Sequence, residues 1–266
     1  MYTEQDHTFV ICAYGENPYV EETLVSLEQQ TVRSQIKLST STPNDYLKDI
    51  CARHGVEMLV NPEKKGAGAD WNYAYDHAGT PLVTLAHQDD YYEPTFTEEV
   101  LAEARRYEGE CVQMYFTDYF EMRKGARVAS NKILKVKRIL NAPLAKRFWN
   151  GRVWLKRRIL AFGDPICCPA CTYDRTVLGP SIFDTHYVNS CDYKTYVELA
   201  SQAGRFVFIP KLLMGHRIYE GSATTKNLSE NIRKREDGEI LATLWPKPIA
   251  AMVNNVYATS ESSNEL

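Results

Sequence analysis

The chain has 266 residues, 44% of them hydrophobic and 24% charged, and 31 Lys and Arg against 34 Asp and Glu leave a formal charge of −3. That is an ordinary globular composition with apolar surface for one large or two small cores, and its charge balance argues against nucleic acid as a partner. No apolar run reaches the roughly 18 residues of a membrane span, the first eight residues are polar rather than signal-like, and seven cysteines suit a reducing compartment, so a cytoplasmic protein is expected.

The first half alternates strand and helix signals. An apolar run over 8–13 ends in a Tyr-Gly-Glu-Asn-Pro turn, and an amphipathic helix follows over 19–30. Strand 36–41, helix 46–54, strand 57–60, a helix opened by Gly66 and Gly68 that runs to residue 78, and strand 82–86 come next. Three βα units in succession predict a parallel sheet covered on both faces. Ligands of such sheets sit beyond the carboxyl ends of the strands, where Tyr14, Ser41 and Asp89 fall.

The strand at 82–86 leads into His87-Gln88-Asp89-Asp90. Two adjacent carboxylates at a strand end read either as a capped, solvated turn or as oxygen ligands for a divalent cation, which relieves both their burial and their mutual repulsion. A helix over 95–107 and a strand over 112–116 follow. Residues 122–163 then carry thirteen Lys and Arg and no Asp or Glu. Apolar and aromatic residues, Trp149 and Trp154 among them, interleave with these cations, the composition of a basic amphipathic helical segment suited to an anionic membrane surface or a pyrophosphate-bearing lipid, with an ordinary solvated helical face as the alternative. Cys167, Cys168, Cys171 and Cys191 lack the paired spacing of a zinc knuckle and read as core residues. A helix over 192–203, a strand over 206–209, the run 211–217 ending in His216-Arg217, and helices over 228–244 and 248–257 complete the chain.

Phe9-Val10-Ile11-Cys12-Ala13-Tyr14, the helix ending Leu27-Glu28-Gln29-Gln30-Thr31, the loop 66–72 and His87-Gln88-Asp89-Asp90, in this order and spacing, resemble a family 2 glycosyltransferase of GT-A fold, of the bacterial surface-polysaccharide type. The resemblance runs over about 8–107 and resumes at Asp192 and His216-Arg217. It implies a Rossmann-like, mostly parallel sheet flanked by helices, divided here into a nucleotide-sugar-binding half (1–121), the basic helical segment (122–163), and an acceptor-binding half with C-terminal helices (164–266).

It further implies a nucleoside-diphosphate sugar, UDP- or dTDP-linked, and a Mn²⁺ or Mg²⁺ ion on its diphosphate. Asp90 would ligate the metal and Asp89 would touch ribose or metal, while Ala13, Tyr14 and Glu16 would line the base and ribose pocket. Where the family carries an Asp-Asp-Gly-Ser turn, this chain has Ser39-Thr40-Ser41-Thr42-Pro43, so Thr40 and Ser41 offer hydroxyls without a carboxylate, and Asp70 and Asn72 are the polar residues to supply what is missing. Lys64 and Lys65 face the phosphates or solvent. Asp192 resembles the family's general base, its bland role being a helix cap, and Asp118 is the reserve candidate or an acceptor contact. His216 would join the metal and Arg217 the phosphate, with Ser222, Thr224 and Thr225 in a loop closing over the diphosphate.

The implied reaction is a single inverting displacement onto a glycan or lipid-linked hydroxyl, and the charge pattern of the basic segment, not the resemblance, suggests that this acceptor is met at the inner face of the cell membrane. Two other classes remain: a sugar-nucleotide pyrophosphorylase, which calls for a Gly-rich loop where 13–18 holds one glycine, and a non-catalytic nucleotide-sugar-binding protein. The absence of Gly-x-Gly-x-x-Gly after a strand argues against a nicotinamide dehydrogenase.

Overall fold

The computed structural model describes residues 1–63, 65–219 and 227–262. Strands β1 (His7–Ala13), β2 (Gln35–Thr40), β3 (Glu57–Val60) and β4 (Leu82–His87) alternate with helices α1 (Val20–Glu28), α2 (Asp45–His54) and α3 (Ala67–Asp76). The short β5 (Tyr91–Tyr92) and α4 (Phe96–Arg106) lead to β6 (Val112–Arg123) and β7 (Ala126–Val128), then to α5 (Lys132–Asn141) and α6 (Val153–Leu160). β8 (Cys171–Asp174), α7 (Cys191–Ala200), β9 (Arg205–Ile218), α8 (Asn227–Leu241) and α9 (Lys247–Ser262) complete the chain.

Among the described residues nine strands join one sheet, ordered β3-β2-β1-β4-β8-β6-β9-β5 with β7 on β6. β1 to β4 are parallel, β8 is antiparallel to both its neighbours, and β9 runs parallel to β6. The sheet is therefore mixed, mostly parallel on its N-terminal side, and draws strands from both ends of the chain. Alternation explains the unbroken apolar runs: Phe9 and Ile11 enter the core on one face and Val10 that on the other, as Leu82 and Ala86 do opposite Val83 and Leu85.

Local chemistry sets the helix limits. Asn44 caps α2 by accepting the Leu47 N–H at 2.8 Å, and Gly55 ends it in the left-handed conformation at φ 65°. Three features differ from expectation. The basic stretch is not helical throughout, because 122–128 closes the β6–β7 hairpin before Asn131 caps α5. β8 is an additional strand. β9 extends far past residue 209, with Pro210, which has no N–H to donate, inside a register shift where Ile209 pairs Thr117 but Leu212 pairs Asp118.

Candidate active site

The carboxyl ends of β1, β2 and β4 place Tyr14, Ser41 and Gln88 at one edge of the sheet, and the far end of β9 meets them there. Gln88 Oε1 accepts the Tyr14 N–H at 2.9 Å, tying the first and fourth strand ends together. Across the β2 turn, Thr40 Oγ1 accepts the Thr42 N–H at 3.0 Å and Thr42 Oγ1 accepts the Gly15 N–H at 2.7 Å. Asp70, in the first turn of α3, accepts from Ser41 Oγ at 2.9 Å and from Asn61 Nδ2 at 2.8 Å. The carboxylate absent from the 39–43 turn is thus delivered by the next βα unit. Ala13 is buried beneath, and Tyr14 and Glu16 are exposed at the rim.

Asp90 is fully buried. Its Oδ1 accepts the Arg217 N–H at 2.9 Å and lies 3.1 Å from His216 Nδ1, while its Oδ2 is buried without a hydrogen-bond partner among the described residues. Burial pushes the Asp90 carboxyl up, but His216, His87 and the Arg217 N–H outweigh it and hold the group below the usual aspartate range. Burial likewise opposes charge on His216, and Asp90 more than reverses that. Asp89 is half-buried; burial and then the Asp90 charge raise its carboxyl, and its Oδ2 accepts from Tyr219 OH at 2.9 Å. Asn17 donates to that same hydroxyl at 2.8 Å.

Among the described residues no group of three or more His, Cys, Asp or Glu is arranged as a metal site. A hard cation that takes one carboxylate and draws its other oxygens from substrate phosphates and water needs no such group. The unpartnered Oδ2 of Asp90 beside His216 fits that demand.

Asp192 stands one residue inside α7, with Ser190 in the cap position, and its Oδ1 accepts the Tyr193 N–H at 2.8 Å. Burial lifts its carboxyl above the usual aspartate range, with Arg233, the Tyr193 N–H and His87 opposing. Asp164, buried and capping the Ile166 N–H at 3.0 Å, is raised much further by burial and by the Asp192 charge. Burial and their mutual repulsion disfavour ionising these two neighbouring carboxyls together. Two buried acids of α8 fix the loop before Asp192. Glu236 accepts the N–H groups of Val188, Asn189 and Ser190 at 2.9, 2.9 and 3.0 Å, and Asp237 accepts from Ser190 Oγ at 2.7 Å.

Three expected residues face elsewhere. Asn72 is buried with both ends of its amide on the Phe183 backbone at 2.8 Å, which fastens α3 to the loop before α7. Arg217, expected on phosphate, donates to the Asp89 carbonyl at 2.8 Å and to Glu22 at 2.6 Å, and its guanidinium stacks 4.0 Å over the Tyr19 ring. Asp118 is ion-paired with Arg138 of α5. Lys65 pairs with Glu63, whereas Lys64, Ser222, Thr224 and Thr225 lie outside the described residues.

Sequence reasoning passed over His87, Asp164, Tyr219 and Glu236. His87 carried a signal: it ends β4, its ring stacks 5.1 Å from Trp71, and its buried Nε2 has no hydrogen-bond partner among the described residues. Its imidazole favours the ionised form of Asp89, Asp90 and Asp192 alike, so it lies within electrostatic reach of both acidic groups.

The family model described as "Glycosyl transferase family 2" matches residues 8–175. No curated protein matches the sequence. Residues 1–349 of S. aureus TarS in complex with UDP-GlcNAc share 14% identity, with TM-score 0.64 over 94% of this chain and 70% of that one. The chain spans 42% of the longer S. aureus TarS structure. The mannosyltransferase PcManGT from Pyrobaculum calidifontis, in complex with GDP-Man and Mn²⁺, shares 15% identity at TM-score 0.62 over 100% of this chain and 77% of its own. Glucosyl-3-phosphoglycerate synthase from Mycobacterium tuberculosis shares 12% at TM-score 0.57 over 90% and 80%. At these identities the likeness is one of fold.

Proposed function

The chain belongs to glycosyl transferase family 2, with the GT-A fold, and from that premise we propose an inverting enzyme that moves a sugar from a nucleoside-diphosphate sugar to a hydroxyl of a glycan or lipid-linked glycan. The observation that carries the reading is the pair of acidic sites at the chain's strand and helix ends: the Asp89-Asp90 turn, whose Asp90 Oδ2 is buried without a hydrogen-bond partner among the described residues, and Asp192 at the start of α7, whose carboxyl burial raises above the ordinary aspartate range.

The donor base and ribose lie against Ala13, Tyr14, Glu16, Thr40 and Ser41. Asp70 supplies a carboxylate acceptor for the N3–H of a uracil or thymine, as a UDP- or dTDP-linked donor requires. TarS was solved with UDP-GlcNAc and PcManGT with GDP-Man, so nucleotide sugars of either base class are carried on this fold. Asp90 and His216 would hold a Mn²⁺ or Mg²⁺ ion, which when bound neutralises charge on the departing diphosphate. Asp89, aimed by Tyr219, borders the ribose, and Arg217 braces the turn.

Asp192 takes the proton of the acceptor hydroxyl, whose oxygen attacks the anomeric carbon opposite the diphosphate as that bond breaks. One displacement inverts the configuration. The halves 1–121 and 164–266 serve donor and acceptor respectively. The acceptor is met at the inner face of the cell membrane, where the enzyme acts peripherally; among the described residues no helix is long and apolar enough to cross a bilayer.

The test is nucleoside-diphosphate release from a panel of nucleotide sugars with Mn²⁺, with and without acceptor. Acceptor-stimulated release of UDP or dTDP is expected. Pyrophosphate release from a nucleoside triphosphate and a sugar 1-phosphate would install the pyrophosphorylase reading instead.

A further inference from the structure

We propose that the outer face of α5, the 146–149 turn and α6 form a docking surface for an anionic lipid bilayer. The inference rests on the proposed membrane-presented acceptor for its purpose, and on the surface itself for its evidence.

Helical spacing separates two faces of α5. Lys132, Lys135, Val136 and Ile139 recur at i, i+3, i+4 and i+7 and are all exposed, Ile139 at 73%. Leu134 is buried on the inner side, where Arg138 pairs with Asp118 and Lys137 Nζ lies 5.7 Å from the Tyr119 ring centroid. The segment after α5 also holds apolar side chains outward. Phe148 and Trp154 are 66% and 60% exposed, and Trp149 links them with ring centroids 4.8 and 6.1 Å apart. α6 had a core available, since its Ile159 and Leu160 are buried, yet it holds Trp154 outward.

Charge is sorted in the same way. Arg127, Arg138 and Arg147 are neutralised by Glu93, Asp118 and Glu110, and Lys156 is buried against Gln113 and the carbonyls of Gln202 and Gly204. Among the described residues no ion pair involves Lys132, Lys135, Lys146, Arg152 or Arg158, so cations without a carboxylate partner share these segments with the exposed apolar side chains, while Arg158 lies 4.5 Å over the Trp245 ring. Arg152 lies 5.0 Å over the Phe148 ring. Tryptophan with aliphatic residues and basic neighbours suits the headgroup boundary of an anionic bilayer. Nucleic acid would stack on aromatic rings but has no use for Val136 and Ile139, and a second copy of this face would bring like charges together.

The surface also lies beside the crevice. Tyr119, under Lys137, packs edge-on to His216 at 6.3 Å, so one helix, about 10 Å across, separates the outer face of α5 from the site. A bilayer docked there meets the mouth through which a lipid-linked acceptor enters.

Flotation of the full chain with phosphatidylcholine vesicles, with and without phosphatidylglycerol, tests this. Co-flotation is expected with the anionic vesicles alone, and reversal at about 1 M salt, where the Debye length is near 3 Å. K132Q/K135Q/K146Q should weaken partitioning on the order of a hundredfold, each cation near the surface contributing about a factor of five. F148S/W154S should also abolish co-flotation. Both variants alter exposed side chains, so donor hydrolysis and melting temperature should match wild type. Equal partitioning of wild type and both variants overturns the proposal, as does binding of a single-stranded oligonucleotide that vesicles fail to displace, or a dimer that F148S/W154S dissolves without any vesicle binding. Failure of flotation with donor turnover intact removes the surface alone; flotation without turnover of any nucleotide sugar removes the transferase reading alone.

Discussion

Asp192→Asn separates chemistry from folding, because the structure gives opposite signs for its two effects. The asparagine Oδ1 can still accept the Tyr193 N–H that Asp192 holds at 2.8 Å, so the start of α7 keeps its contact. Charge at this position works against the fold. The raised carboxyl means that the unfolded chain ionises more readily than the folded one, so the group favours folding below its ordinary pKa of 3.8 and loses that contribution as pH rises through the folded value. At neutral pH the buried charge also presses on Asp164. The neutral isostere removes both penalties, and the melting temperature should be unchanged or higher. Transfer should fall about 10²- to 10⁴-fold, the usual contribution of a general base, or roughly 3–5 kcal/mol of barrier. Donor affinity with Mn²⁺ should not move. The wild-type rate should rise with pH through a value above the ordinary aspartate range and then level off, and the variant should lose that limb. Stopped-assay transfer rates over pH, titration calorimetry with the nucleoside diphosphate, and a thermal melt make the measurement. Turnover within about tenfold of wild type would refute the base. A lower melting temperature would make Asp192 a structural residue.

Asp90→Asn should abolish metal-dependent donor binding by calorimetry and weaken its charge-assisted contacts with the Arg217 N–H and His216, lowering stability by about 1.5–3 kcal/mol; unchanged Mn²⁺-dependent affinity would count against the assignment. Glu236→Gln turns an amide NH₂ toward a loop where three N–H groups need an acceptor, so kcat should fall at least about tenfold with donor Kd unchanged, and a loss confined to Kd would contradict a role in placing Asp192. Burial holds the His7 imidazole down to about 3 from 6.5, so its contribution to stability is present above pH 6.5 and shrinks as pH falls, by about 2 kcal/mol at pH 5. Melts at these two pH values should show that loss in wild type and less of it in His7→Gln.

The N-terminal half was legible because both faces of its strands are buried, which writes strands as unbroken apolar runs between turn residues such as Asn44 and Gly55. β8 was not. Its four residues, Cys-Thr-Tyr-Asp, have no alternation of their own, and what makes them a strand is tertiary: pairing to both β4 and β6, with the Thr172 hydroxyl 2.6 Å from that of Thr84. The length of β9 was hidden by Pro210, which interrupts the pattern that resumes on the other side of the bulge. In the crevice, strand ends announced Asp89, Asp90 and His216. Tyr219 and Glu236 gave no such notice, because each acts on a residue far away in sequence through a bond that no local spacing encodes.

His216 and Arg217 show where a local rule was available. Read as a pair, the two residues invite assignment to one ligand, metal for the histidine and phosphate for the arginine. They lie in β9, however, and successive side chains of a strand point to opposite faces. One ligand therefore cannot draw both side chains without a bulge between them, and the register Glu121↔His216, Met122↔Arg217 is unbroken there. The imidazole accordingly meets the Asp90 carboxylate, while the guanidinium crosses to Glu22, Tyr19 and the Asp89 carbonyl, leaving only its backbone N–H on Asp90. The two residues grip the acidic turn from opposite sides. Gly215, just before them, leaves room for the Phe120 ring, which lies under 3.0 Å from where a Cβ would stand. A strand that carries His216, the proposed metal ligand, and the bracing Arg217 in adjacent positions holds the Asp89-Asp90 turn in place, the preorganisation that the proposed diphosphate leaving group calls for.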